Sequence, residues 1–336
     1  MKYFFILLIC IPIVISSFTN CGDSKSSNSS IIRIEDTAGR NVLIADPFVL
    51  KEGKTYYLYG TSGINADAGI PVYSSEDLIH WKSPAGSGKE HLALKKGGSY
   101  GDKGFWAPFV LKHADRYYMY YTANEYVAVA VSDSPLGPFI QSSFKPLHEG
   151  IKEIDPHVFI DDNDKKYIYL VRLQEGNRIF GAQLNDDLVS INESSITPCI
   201  SQSQDWEIAS GSQWPVTEAP AMLKHKGQYY LFYTGNDFRH PDYNVGYAVS
   251  TSPLGPWKKS DKNPIIPKTV NIQGTGHCEF TRSSSNELIM FYHTHQSMQK
   301  VSPRKTVYSK MSFSSDGQGI DIPVVDTAKK FSYIAD

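Results

Sequence analysis

ADPFVLKEGKTYYLYGTS, residues 45–62, returns along the chain with its chemistry intact. It reappears as APFVLKHADRYYMYYTAN at 107–124, DPHVFIDDNDKKYIYLVR at 155–172 and APAMLKHKGQYYLFYTGN at 219–236, and more weakly as GHCEFTRSSSNELIMFYHTH at 276–295. In each copy a short apolar run, such as Phe48-Val49-Leu50, makes one strand. A polar turn follows, such as Lys51-Glu52-Gly53-Lys54, and an alternating aromatic strand returns, such as Tyr229-Tyr230-Leu231-Phe232-Tyr233. That is a β-hairpin by pattern and turn chemistry. A third strand follows each hairpin, within 69–81, 127–139, 178–189, 244–257 and 306–317. Two of these carry the same SPLGP turn, at 134–138 and 252–256, which an internal repeat explains and coincidence does not. The anchor prolines at 47, 108, 156 and 220 are spaced by 61, 48 and 64 residues. A four-stranded blade takes about 40–50 residues, so the spacing suits blades with loops between them. Five such units predict an all-β fold, a five-bladed β-propeller, in which no helix matters structurally.

The composition agrees. The chain has 336 residues, 12% of them aromatic with 21 Tyr and 16 Phe, and no long run of helical apolar spacing after the N-terminus. Aromatic residues favour strands. The formal net charge of −2 lacks the basic footprint that nucleic acid requires. The N-terminus reads as an export segment: Lys2, then a nearly continuous apolar stretch over 3–15, too short to span a bilayer comfortably. Residues 1–20 are expected to be a lipoprotein-type signal and Cys21 the lipidated residue, although Asn20 departs from the small residue usual before such a Cys. The Ser-rich stretch 21–30 cannot bury apolar area and is read as a tether, with 31–336 as the propeller. These features predict an exported protein anchored to a bacterial envelope, touching membrane only through its lipid. Cys199 and Cys278 are the remaining cysteines, and sequence alone leaves their pairing open.

The starts of the innermost strands ring one mouth of a propeller, so residues heading the repeats meet in space although far apart in sequence. Those heads carry Asp46 before Pro47, Phe105 and Trp106 before Ala107-Pro108, Asp155 before Pro156, Glu218 two places before Pro220, and His277. An Asp-Pro at a strand start is ordinary turn chemistry when it stands alone. Three carboxylates at matching places suit glycoside hydrolysis, in which one protonated acid serves the leaving oxygen, one ionised carboxylate serves water, and a third charge tunes the acid.

These motifs identify a resemblance. ADP at 45–47, FWAP at 105–108, EIDPHVF at 153–159, TEAPAML at 217–223 and GTGHCEF at 274–280 resemble, in order, those of glycoside hydrolase family 43, over residues 44–317. The resemblance implies Asp46 as general base, Glu218 as general acid and Asp155 as modulator of the acid's pKa and orientation. It implies substrate contacts from Trp106, Phe105, His277 and Arg304. It requires no cofactor and allows a structural Ca²⁺ near the axis beside His277. The sucrose-processing relatives' WMNDPNG start is absent. The expected activity is inverting exo-hydrolysis of terminal α-L-arabinofuranose or β-D-xylose from plant-type glycans by a monomer. The alternatives are an endo-acting arabinanase of the same family and a non-catalytic glycan-binding propeller. The aromatic insertions at 202–214 and 237–243 tilt the reading toward a pocket and exo action. Inversion needs a water between the base and the sugar, hence carboxyl groups roughly 6.5–9.5 Å apart.

Overall fold

The structure, a computed structural model, describes residues 31–36, 39–83, 85–269, 272–317 and 319–326. The expected signal, Cys21 and the tether lie outside the described residues.

Five antiparallel sheets stand around one axis. Blade 1 contains Ile44–Glu52, Thr55–Ser62, Gly69–Ser75 and Leu92–Lys95. Blade 2 contains Trp106–His113, Arg116–Ala123 and Tyr126–Ser132. Blade 3 contains Glu153–Ile160, Lys166–Leu173, Asn177–Leu184 and Thr197–Ile200, and blade 4 contains Thr217–His225, Gln228–Gly235, Asn244–Ser250 and Lys258–Lys259. Blade 5 contains Gly276–Arg282, Leu288–Thr294 and Lys305–Ser315, and its outer edge is Ile31–Arg33 from the other end of the chain. That pairing ties the segment leading into blade 1 to blade 5, whose long strand also pairs with Asp321–Val325. Among the described residues, helical structure is limited to two short 3₁₀ turns, Glu193–Ser195 and Asp205–Glu207.

Each blade is sandwiched between neighbours, so its middle strands are buried on both faces. Gln228–Gly235 is buried at every position after the first. Aromatic rings fill the gaps, and a buried ring hydroxyl needs a partner. Tyr59, Tyr120 and Tyr169 occupy one register position on the second strands of blades 1, 2 and 3. Each donates across the seam to a turn carbonyl of the next blade, respectively Pro135, Leu188 and Pro253. Pro135 and Pro253 belong to the two SPLGP turns, so the sequence repeat is also a repeat of packing. Cys199 and Cys278 are both free thiols.

Candidate active site

The five innermost strands share one distortion. Their pairing with the second strand slips by a bulge between Ala45 and Phe48, Trp106 and Phe109, Ile154 and His157, Glu218 and Ala221, and Gly276 and Glu279. Inside each bulge one non-glycine residue is left-handed: Asp46 (φ 51°), Ala107 (45°), Asp155 (53°), Ala219 (53°) and His277 (51°). Such a residue costs about 1–3 kcal/mol, and bulges re-aim side chains next to active sites. Here the bulges present Asp46, Asp155 and His277 from the left-handed position of blades 1, 3 and 5. Trp106 and Glu218 come from the position before it, in blades 2 and 4. All five line one cavity of about 620 Å³.

A hydrogen bond across each seam holds the strained amide. Thr61 Oγ1 accepts Ala107 N–H (3.0 Å), Thr122 Oγ1 accepts Asp155 N–H (3.1 Å), and Thr234 Oγ1 accepts His277 N–H (2.9 Å). The equivalent residue in blade 3 is Val171, opposite Ile154, and it has no acceptor. The Ala219 amide is instead accepted by Asp155 Oδ2 (3.1 Å). In blade 5 the equivalent is His293, whose Nδ1 accepts the Asp46 amide (3.2 Å).

Asp46 is nearly buried and heavily partnered. Thr61 Oγ1 donates to its Oδ2 (2.6 Å), and Arg304 reaches both oxygens, Nη1 to Oδ1 (3.0 Å) and Nη2 to Oδ2 (3.4 Å). Burial pushes this carboxyl up, but Arg304, His277 and His293 outweigh it and hold it well below the usual carboxylate range. Burial pushes His277 down and His293 down to about 3, so both imidazoles are neutral at pH 7 and Arg304 carries the attraction. Glu218 goes the other way. Burial raises it to about 7, against hydrogen bonds from Tyr243 Oη to Oε1 (2.8 Å) and Asn177 Nδ2 to Oε2 (2.7 Å), with Asp46 adding to the rise. Asp155 is also raised well above its ordinary value, by burial and then by the charges of Glu218 and Asp46. One cavity therefore holds Asp46 kept ionised beside two carboxyl groups, Glu218 and Asp155, whose proton affinity is raised.

Sequence placed Asp46, Asp155, Glu218, Trp106, His277 and Arg304 here, and the structure brings these six to one cavity. Phe105 is a correction. It is fully buried, stacked on Tyr121 at 6.1 Å, and does not line the cavity. It precedes the strand that begins at Trp106, and its amide donates to the Ala66 carbonyl (2.9 Å). The insertions do form walls: Trp214 from one, Asp237, Phe238, Arg239 and Tyr243 from the other. Asn177, Thr61 and His293 were missed. Thr61 and His293 share a repeat position that alignment of the hairpins exposes, whereas nothing local marks Asn177.

The axial side chains do not fit a directly held calcium ion. That cation takes about six to eight oxygens. Among the described residues no group of three or more His, Cys, Asp or Glu side chains is arranged for a metal. His157 Nδ1 sits 2.6 Å from Glu279 Oε1, both residues buried, and Phe109 packs against that imidazole at 4.7 Å. Met222 N–H is accepted by His157 Nε2 (3.0 Å), so Nδ1 carries the proton and donates it to Glu279.

The model of the family described as Glycosyl hydrolases family 43 matches residues 40–318. The crystal structure of an endo-1,4-β-xylanase from Bacteroides thetaiotaomicron is 36% identical, with a TM-score of 0.78 over 86% of this chain and 96% of that chain. The extracellular exo-α-(1→5)-L-arabinofuranosidase of Cellvibrio japonicus is 28% identical, the match covering 57% of this chain and 59% of the relative. The extracellular endo-α-(1→5)-L-arabinanase of Thermotoga petrophila is 27% identical, covering 71% of this chain and 56% of the relative. The match thus spans a little over half the length of these two curated relatives.

Proposed function

The chain belongs to family 43 of the glycosyl hydrolases, and from that premise we propose that it is an inverting exo-glycosidase releasing terminal α-L-arabinofuranose or β-D-xylose from plant-type glycans. The observation that carries the reading is the opposed protonation of two carboxyl groups on one cavity: Asp46 held ionised by Arg304, Glu218 held up at about 7. Glu218 gives its proton to the glycosidic oxygen as the bond to the anomeric carbon breaks. Asp46 takes a proton from the water that attacks that carbon from the opposite side. Asp155 accepts the amide of Ala219, the residue next to Glu218, and the mutual repulsion of the two carboxyl groups ties its protonation to that of the acid. Asp46 and Glu218 both line the cavity and are held by different hydrogen-bond partners, which suits a base and an acid that act on one sugar.

The walls formed by Trp214 and residues 237–243 favour a closed end and exo action. Relatives named for arabinofuranosidase, arabinanase and xylanase activities frame the sugar class. The test follows arabino- and xylo-oligosaccharide hydrolysis by NMR and chromatography. Monosaccharide as the first product, with inverted anomeric configuration, supports the reading. Oligosaccharide first products indicate the endo alternative, and a retained configuration overturns the roles given to Asp46 and Glu218. Export with lipid attachment at Cys21 is part of the same proposal, since two relatives are named as extracellular. Cys21→Ala should leave the membrane fraction of a bacterial host; if it stays there, the anchor lies elsewhere.

A further inference from the structure

Trp214 is unusual among the large aromatics, because it is 48% exposed and yet held at both ends. Its backbone amide donates to Ser212 Oγ (3.1 Å), and that hydroxyl donates to the Trp214 carbonyl (3.1 Å). Its indole Nε1 donates to Asn177 Oδ1 (2.8 Å). The insertion that carries it is anchored from within by the buried Glu207. That carboxylate accepts Lys259 Nζ (2.5 Å), Tyr233 Oη (2.6 Å) and the amides of Ser203 (2.7 Å) and Gln204 (2.9 Å). An exposed aromatic ring fixed on a cavity wall is a surface waiting for an apolar face, and the carbon face of a sugar ring supplies one.

The hydrogen bonds also fix what Asn177 does. An indole N–H only donates, so the Asn177 atom facing Trp214 is the oxygen. The amide nitrogen must then face Glu218, where it donates to Oε2 (2.7 Å). An oxygen that accepts that bond does not carry the acid's proton toward the same nitrogen. Oε1 accepts from the Tyr243 hydroxyl, 2.8 Å away, so each oxygen of the acid faces a donor that stabilises the carboxylate left after transfer. Removing the indole N–H frees the amide to turn over, which would put a rival acceptor against the acid.

We infer that Trp214 is the platform for the sugar on the leaving-group side of the scissile bond, and that Asn177 couples this platform to the acid as a positioning residue. The inference rests on the reading of Glu218 as acid: the leaving sugar must lie against that residue, on the rim side where Trp214 stands. The device would select substrates whose leaving group is itself a sugar ring. The titratable and charged groups facing Glu218 are Asp155, Asp46, Arg304 and Tyr243, and neither variant below replaces any of them.

The test compares the intact chain with Trp214→Ala and Trp214→Phe on an oligosaccharide and on the matching glycosyl fluoride, whose leaving group has no ring. Trp214→Ala should raise KM for the oligosaccharide about threefold to tenfold, the worth of one aromatic contact, and leave KM for the fluoride unchanged. Trp214→Phe keeps the ring and loses the N–H. It should keep KM near the parent value while the basic limb of its kcat/KM profile moves to higher pH, because a hydrogen bond that lowers the acid's pKa is weakened. Equal KM rises on both substrates, or no rise on either, overturn the platform. A Trp214→Phe pH profile that superimposes on the parent overturns the coupling. Glu218→Gln run beside them separates the premise: if it retains full turnover on the oligosaccharide, the acid is elsewhere and the inference falls with it. Circular dichroism of each variant confirms that the fold is kept.

Discussion

The three seams latched by threonine and the two that are not differ in one side chain each, and that difference separates scaffold from chemistry. Between blades 1 and 2, 2 and 3, and 4 and 5, a Thr hydroxyl accepts the strained amide of the next bulge. Between blades 3 and 4 the position is Val171, and the amide of Ala219 falls to Asp155. Between blades 5 and 1 it is His293, which meets the amide of Asp46 and puts Nε2 3.2 Å from Arg304 Nη1. A buried amide must find an acceptor. Leaving out the generic acceptor at one seam therefore conscripts a carboxylate, and the conscript is the one beside the proposed acid. The seams teach that this propeller orients its working groups by breaking its own repeat.

The largest effect comes from removing a group that the unlatched seams orient. Asp46→Asn should lower kcat by about 10²–10⁴-fold with the fold intact, measured by steady-state kinetics and thermal unfolding. A loss of fold without a loss in the rate of the folded fraction would assign Asp46 to structure.

The pH dependence is next. The proposed acid role requires Glu218 protonated, and burial places its carboxyl at about 7, so kcat/KM should fall about tenfold per unit once pH rises well above that value. Asp46 must stay ionised and is held well below the usual range, so the acid limb should lie well below that of an exposed carboxylate. The stability signs are opposite. Glu218, raised on folding, favours the fold at low pH, and that contribution is lost as pH climbs through about 7. Asp46, depressed on folding, favours the fold above the unfolded carboxylate pKa and loses that contribution as pH falls through its folded value. Glu218→Gln should accordingly be more stable than the parent above pH 7, by denaturant titration. A lower stability there would contradict burial as the cause of its shift.

Repairing the blade 3 seam is a finer cut. Val171→Thr offers Ala219 the acceptor that the other seams have, and releases Asp155. It should lower kcat/KM about tenfold while the unfolding midpoint stays near the parent's. An unchanged kcat/KM would mean that Asp155 needs no amide to hold its place. The reverse change, Thr234→Val, orphans the His277 amide. It should cost about 1–3 kcal/mol of stability and change kcat less than Val171→Thr does. If the two variants trade places, the distinction between seams is wrong.

Much of this was legible beforehand because each hairpin encodes itself locally. Turn residues, alternation and the Asp-Pro, Ala-Pro and Glu-Ala-Pro heads lie within a few positions of one another, so the blades and the heads at Asp46, Asp155 and Glu218 could be read in one dimension. Phe105 failed for an equally local reason. It sits beside Trp106 in the motif, yet it precedes the strand, and its ring is buried against Tyr121 while Trp106 lines the cavity.

By itself, then, the sequence determined the number of repeats, their all-β character and the acids at their heads, since hydrogen-bonded hairpins and strand starts depend on neighbours in the chain. Tertiary structure alone decided which carboxyl keeps its proton, because that follows from burial and from Arg304, 258 positions from Asp46. It alone joined Trp214 to Asn177 and Asn177 to Glu218, 37 and 41 positions apart, because only the packing of blade against blade brings such groups within hydrogen-bond reach.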